Sequence, residues 1–211
     1  MYLTNPLKKA IYLAAFLLIS TSICGQSSWE YGLAAGLQYG DYSTKNREAQ
    51  DILDDPVEAA ISPYMSTYIC RPIGQSSKII AMPGFSFHQV NGNISNIKTT
   101  SLFFDLPIHY HYKILDNFAM LGGIQYRYLI NLSQHQNENN ISITELADNR
   151  HHTGMQLGVS YTCGSHLEVM LSAHQSLTDL YTYNITDLDG KVLDSISAKN
   201  RYLRLAFVFR K

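Results

Sequence analysis

This 211-residue sequence has no stretch of about 20 consecutive apolar residues, the length a helix needs to cross a bilayer. A helical membrane span is therefore excluded. Charge of one sign is also missing: 16 Lys and Arg face 17 Asp and Glu, for a formal net charge of −1 and no basic run. That leaves no footprint for nucleic acid and no polybasic tether to a membrane surface. Cysteine is scarce, with three in the whole chain, too few for a disulfide-built scaffold. No segment beyond residue 26 offers a convincing amphipathic helix. The mean hydropathy of −0.11 leaves one membrane class open, because a spanning strand needs apolar residues only at alternate positions.

What is present begins with MYLTNPLKKAIYLAAFLLISTSICGQ. Lys8 and Lys9 precede an apolar run, Ala10 to Ile19, about half the length of a spanning helix. Small and polar residues follow. This order reads as a secretory signal peptide over residues 1–26, cleaved near Cys24 to Gln26, with the mature domain at 27–211. A lipidated Cys24 fits less well, since bulky Ile23 stands where a small residue is needed. Cys70 and Cys163 then remain in an exported chain. A disulfide between them is the sharper reading; two packed thiols fit the strand layout better.

The domain itself has a two-residue period. In SLFFDLPIHYHYKI, Ser101 to Ile114, one face is Leu102, Phe104, Leu106, Ile108, Tyr110, Tyr112 and Ile114. The other is Ser101, Phe103, Asp105, Pro107, His109, His111 and Lys113. Such alternation marks a strand with two unlike faces. The same pattern returns at Trp29–Tyr42, Phe118–Leu132, Thr153–Cys163, Leu167–Leu177 and Arg201–Lys211. It is less regular at Ala59–Pro72 and Ile79–Val90, where Pro63 and Pro83 predict bulges. The total expected is eight strands.

Connection length decides which face looks inward. Long polar segments such as STKNREAQDILDDPVE and SQHQNENNISITELADNRHH alternate with the short GQSSK, LDN and GSH. Short turns on one side and long loops on the other are the pattern of an outer-membrane barrel with both chain ends in the periplasm. Aromatic residues on the apolar faces also gather at strand ends. Trp29, Tyr31, Tyr110, Tyr112, Phe118, Tyr161, Phe207 and Phe209 fall at one level, and Tyr39, Tyr126 and Tyr128 at the other. Amphipathic rings at two levels form interfacial girdles. The apolar faces are thus expected to meet lipid. The opposite faces, rich in Gly and small residues with scattered charges, suit a narrow lumen filled by side chains. The fold class expected is all-β: an eight-stranded antiparallel up-and-down transmembrane β-barrel.

The order GLAAGLQYG, FFDLPIHYHY, LGGIQYRYLI, LSAHQSLTDL and a short C-terminal strand resembles the small outer-membrane β-barrel family of Bacteroidota, the PorT-like group. The likeness covers nearly the whole mature chain through loose motifs. It departs at His174 and Ser176, where the family has an aromatic residue and Gly, and at Arg210-Lys211, which replaces a terminal aromatic. The resemblance implies location and fold, and for a few members a link to a secretion apparatus.

Several residues invite chemistry. His174-Gln175-Ser176 is similar to the His-x-Ser of outer-membrane lipid A deacylases, in which a His base activates a Ser nucleophile. Its parity, however, turns both side chains inward, away from lipid. His109 and His111 share a face and could begin a metal site, but no acid or Cys clearly completes it. Asp187-Leu188-Asp189-Gly190 is half a calcium loop without the bidentate Glu; a hairpin turn at Asp189-Gly190 accounts for it better. The surrounding NITDLDGKVLDSIS is expected to extend the last two strands above the membrane. No catalytic, cofactor or metal residue is assigned. The function expected is a structural or interaction component, acting through extracellular loops or the periplasmic rim. The alternative is a lipid-modifying enzyme using His174 and Ser176. The partners expected are outer-membrane lipid and a protein. One register expectation is sharp: if Ile114 pairs with Phe118, Asp105 faces Arg127 inside the barrel.

Overall fold

A computed structural model describes residues 29–44, 57–92, 98–136, 139–142, 144–146, 149–186 and 192–211. Signal-peptide cleavage and the Asp187–Gly190 turn lie outside the described residues. Among the described residues eleven strands are present: β1 Glu30–Thr44, β2 Val57–Pro72, β3 Ser77–Ala81, β4 Gly84–Gly92, β5 Lys98–Leu115, β6 Phe118–Gln136, β7 Asn139–Ser142, β8 His151–Cys163, β9 Leu167–Ser176, β10 Tyr181–Thr186 and β11 Val192–Arg210. All pairings are antiparallel. β1 pairs with β2, β2 with both β3 and β4, and these two with β5. The sheet continues through β6, β8 and β9 to β11, which returns to β1. The sheet is closed.

The difference between eight expected strands and eleven observed ones has local causes. The third expected strand divides at Met82-Pro83 into β3 and β4, because proline has no N–H to give the ladder. Neighbouring strands bridge the break: Thr67 N donates to the Pro83 carbonyl at 2.9 Å, and Met82 N to the Pro107 carbonyl at 3.1 Å. Pro63 lies where the β2–β4 register shifts, between Ala59 and Tyr64. Among the described residues, β7 and β10 are short strands that pair only with the ends of β6 and β11. The pairing expected above the last two strands is present, with Tyr181 to Thr186 against Ala198 back to Val192, but β9 stops at Ser176 and β10 begins anew at Tyr181.

The face assignment follows the sequence. Ser101, Phe103, Asp105, Pro107, His109 and His111 are buried along β5, as are Gln125, Arg127 and Leu129 along β6. Their alternating neighbours form the outer surface, where Leu33, Met65, Ile124 and Leu157 are all more than 60% exposed. Two details differ from expectation. Leu115, not Ile114, pairs with Phe118, so the turn tightens to Asp116-Asn117 with an irregularity in β5. The register is nonetheless the expected one from Phe103–Leu129 to Lys113–Ala119. Ile130 is an extra residue at a bulge, which reverses the alternation. Leu132 therefore turns inward and Asn131, expected inside, is exposed.

Two turns between short-linked strands use Gly in a left-handed conformation, Gly74 at φ 81° and Gly164 at φ 68°. At the third, Lys113 Nζ lies 2.8 Å from Asp116 Oδ1. This hydrogen bond and charge hold the exposed Asp116 carboxyl below its ordinary pKa. Cys70, buried on β2, and Cys163, exposed on β8, are free thiols on strands that do not pair with each other.

Candidate functional site: the charged interior

Inward-facing residues form layers. An apolar cluster of Tyr68, Ile80, Met82, Leu121, Met170 and Val208 fills the end near the short turns. A second, with Val90, Phe103, Leu129, Leu132 and Leu180, lies toward the long loops. Between them is a polar layer centred on Asp105, whose side chain is fully buried.

Asp105 comes from β5 and meets two guanidinium groups. Arg127 on the adjacent β6 donates Nε–H to Oδ1 at 2.9 Å, as the register requires. Arg204 on β11, not a neighbour of β5 in the sheet, donates Nη2–H to Oδ2 at 2.7 Å. One carboxylate thus accepts from both sides with both oxygens used. Desolvating three ions costs several kcal/mol each in real proteins, so further partners are needed. Arg127 also bonds Ser86 Oγ at 3.0 Å, and Arg204 bonds Gln38 Oε1 and the Tyr202 hydroxyl, both at 3.1 Å. Each guanidinium also lies over aromatic faces: Arg127 is 3.9 Å from the Phe103 centroid and Arg204 3.8 Å from that of Tyr64. Such contacts reach about 2 kcal/mol or more when desolvated.

The network continues through neutral groups. Tyr202 donates to Gln125 Oε1 at 2.6 Å, Gln156 Nε2 donates to the same oxygen at 2.5 Å, and His109 Nε2 closely contacts Gln156 Oε1. His109 and Gln125 thus reach Asp105 through Gln156, Tyr202 and Arg204.

The structure does not join the candidate catalytic pair into a dyad. His174 stacks on Tyr202 with ring centroids 4.5 Å apart and planes 14° off parallel. Its ring occupies the space a Cβ would fill at Gly154 on β8. The Ser176 hydroxyl bonds the Thr178 and Thr153 backbone carbonyls at 2.9 and 3.3 Å. Both side chains are buried inside the sheet. His109 and His111 have ring centroids 6.0 Å apart, yet His109 is engaged by Gln156. His111 Nδ1 instead lies 3.6 Å from Glu168 Oε1. Among the described residues no group of three or more His, Cys, Asp or Glu is placed to hold a metal.

The contacts of three inward residues escape sequence reasoning. Arg204 and Tyr202 are legible as inward by parity alone, but their contact with Asp105 and Gln125 depends on closure of the sheet. Glu168, fully buried, pairs with Lys78 Nζ at 2.8 Å and lies 3.5 Å from Arg210 Nη1. This second charged cluster lines a recess of about 360 Å³ that opens between the short turns.

The closed antiparallel sheet is similar in fold to solved proteins. Neisserial surface protein A, NspA, aligns at a TM-score of 0.50 and 11% identity, over 87% of this chain and 98% of that one. The chain has the fold of an outer-membrane β-barrel. OprG of Pseudomonas aeruginosa aligns at 0.47 and 12% identity, over 89% and 98% of the two chains. Ail of Yersinia pestis, solved with sucrose octasulfate, aligns at 0.46 and 8%, over 86% and 99%. No protein-family model and no curated protein matches the sequence.

Proposed function

We propose that the chain is an eight-walled transmembrane barrel of the bacterial outer membrane, exported by a cleaved leader over residues 1–26, with both ends periplasmic. The observation that carries this reading is the inversion of polarity. Leu37, Met65, Ile124, Met155 and Leu157 are each more than half exposed, while Asp105, Arg127, Glu168 and Arg204 are buried. Exposed large apolar residues stand on every wall of the sheet; such an exterior has to be covered, and lipid is the cover that fits a barrel wall. The interior supports a filled lumen in place of a pore, because side chains of a narrow barrel meet across it as Arg204 meets Asp105. The function is then structural or interactive, through the extracellular loops or the periplasmic rim. A place beside a secretion apparatus rests on the resemblance to the PorT-like family of Bacteroidota.

Expression of the full sequence in a diderm bacterium, followed by membrane fractionation, tests the location. The protein is expected in the outer-membrane fraction, migrating faster on SDS gels unheated than boiled. Recovery as a soluble periplasmic protein would overturn the reading. The alternative, lipid modification through His174 and Ser176, is tested by Ser176→Ala. With the Ser176 hydroxyl committed to backbone carbonyls, lipid A acylation is expected to be the same with the variant as with the parent.

A further inference from the structure

We propose that the outer surface carries one specific lipid site, a groove centred on Ala173 and capped by Arg201, that holds an acyl chain of a phosphate-bearing lipid. The inference rests on the membrane reading above and deepens it. Register explains the groove. Ala173 on β9 pairs with Leu203 on β11 and with Leu157 on β8, so a methyl group stands between two isobutyl groups in one outward row. Tyr39 continues the row beyond Leu203. The next row toward the long loops contains Arg201, Gln175 and Met155. Together these residues line a depression of about 500 Å³. Leu203 and Leu157 stand 53% and 69% exposed on its two sides.

The upper end of the groove is built for a headgroup. Arg201 faces outward from β11, eight residues from Phe209. At ~3.3 Å per residue and a tilt of ~40°, it lies about 20 Å above that aromatic, near the edge of an apolar band ~25 Å tall. Asp41 on β1 holds Arg201 as a fork, with Nη2 2.8 Å from Oδ2 and Nε in close contact with Oδ1. A guanidinium has five N–H donors. Two are fixed by Asp41, which orients the plane; among the described residues the Nη1 edge is left for another acceptor. The Arg201 side chain is 54% exposed and that of Asp41 22%, so the cation is the member presented outward. A phosphate oxygen suits that edge, and its acyl chain follows the groove down past Ala173.

The test uses the full-length protein purified in mild detergent, with phosphatidylglycerol and chain-matched diacylglycerol as probes and native mass spectrometry as the readout. One phosphatidylglycerol per chain is expected to be retained in preference to diacylglycerol. Arg201→Gln should lower retention by up to about five-fold, the range of an exposed charge-assisted contact. Ala173→Leu, which fills the groove, should lower retention of both lipids. Ala35→Leu, on the same outer face but away from the groove, should change nothing. Equal retention by Ala173→Leu and the parent, or no preference for phosphate in the parent, would overturn the site. Arg201→Gln keeps the phosphate half testable if Ala173→Leu fails to fold. A chain that does not enter lipid vesicles at all would instead overturn the membrane reading.

Discussion

Arg204 Nη2 lies 2.7 Å from Asp105 Oδ2, joining residues 99 positions apart on strands that are not neighbours in the sheet. Asp105 is the anion of a three-ion centre, so its replacement strands two buried cations. Asp105→Asn is expected to destabilise the folded state by ~3–5 kcal/mol, measured by urea unfolding in lipid vesicles. Replacing all three ions together, with Asp105→Leu, Arg127→Met and Arg204→Met, should recover most of that loss, since well-packed apolar groups often substitute for buried ions at no cost. A triple variant as unstable as the single one would show that the charges do more than fill space.

Gly154 leaves room for the His174 ring. Gly154→Ala should cost about 1–3 kcal/mol by forcing that ring off Tyr202. Adding His174→Ala to the same chain should return part of it. A double-mutant cycle with no coupling would contradict the close approach.

On the outer surface, cost should depend on depth. Leu157 occupies the middle of outward-facing β8, and Thr153 lies four residues toward the long loops. In the proposed orientation, Leu157→Arg is expected to cost about 2–4 kcal/mol in lipid vesicles and Thr153→Arg about 0–1. Equal penalties would argue against a membrane across β8.

The Asp116 carboxyl should titrate below the ordinary Asp range when followed by NMR, because Lys113 bonds its ionised form. A depressed folded-state pKa means that the contact is present above the unfolded value and is lost as pH falls through the folded one. Lys113→Gln should move the titration up toward the ordinary value. An unchanged curve would remove Lys113 as the cause.

The β5–β6 pair was the most legible part of the fold: the two-residue period fixed the faces, and the register is the expected one because the irregularity at Ile114 offsets the tighter turn. Asp105 opposite Arg127 followed from those two facts. The bulge at Ile130 did not, since one extra residue in the apolar run Tyr128-Leu129-Ile130 leaves no mark in the alternation until Leu132. The split at Pro83 was half legible, as proline announces a break but not the backbone bonds that bridge it. Parity alone also described the interior too simply. It puts Arg204 and Glu168 on the inward side and says nothing of their partners, because contacts across the closed sheet depend on its curvature. The candidate dyad shows the same limit from the other side. His174 and Ser176 were near in sequence, yet one packs on an aromatic ring and the other bonds backbone carbonyls.

The pairing of β1 with β11, from Gly32–Arg210 to Thr44–Ala198, makes the seam that closes the sheet the contact most remote in sequence. Contacts of that kind form late, after loop closure across the whole chain. Until then β1 and β11 are two open edges, each able to pair with a foreign strand. Assembly is therefore exposed to error at this seam more than at any hairpin, and a factor that shields either edge would act on folding without touching the finished barrel. Joining β11 to β1 by a short linker and reopening the chain at Asp116-Asn117 would reverse the order. The slowest contact would become a local hairpin, and the best-specified one would become the last to close.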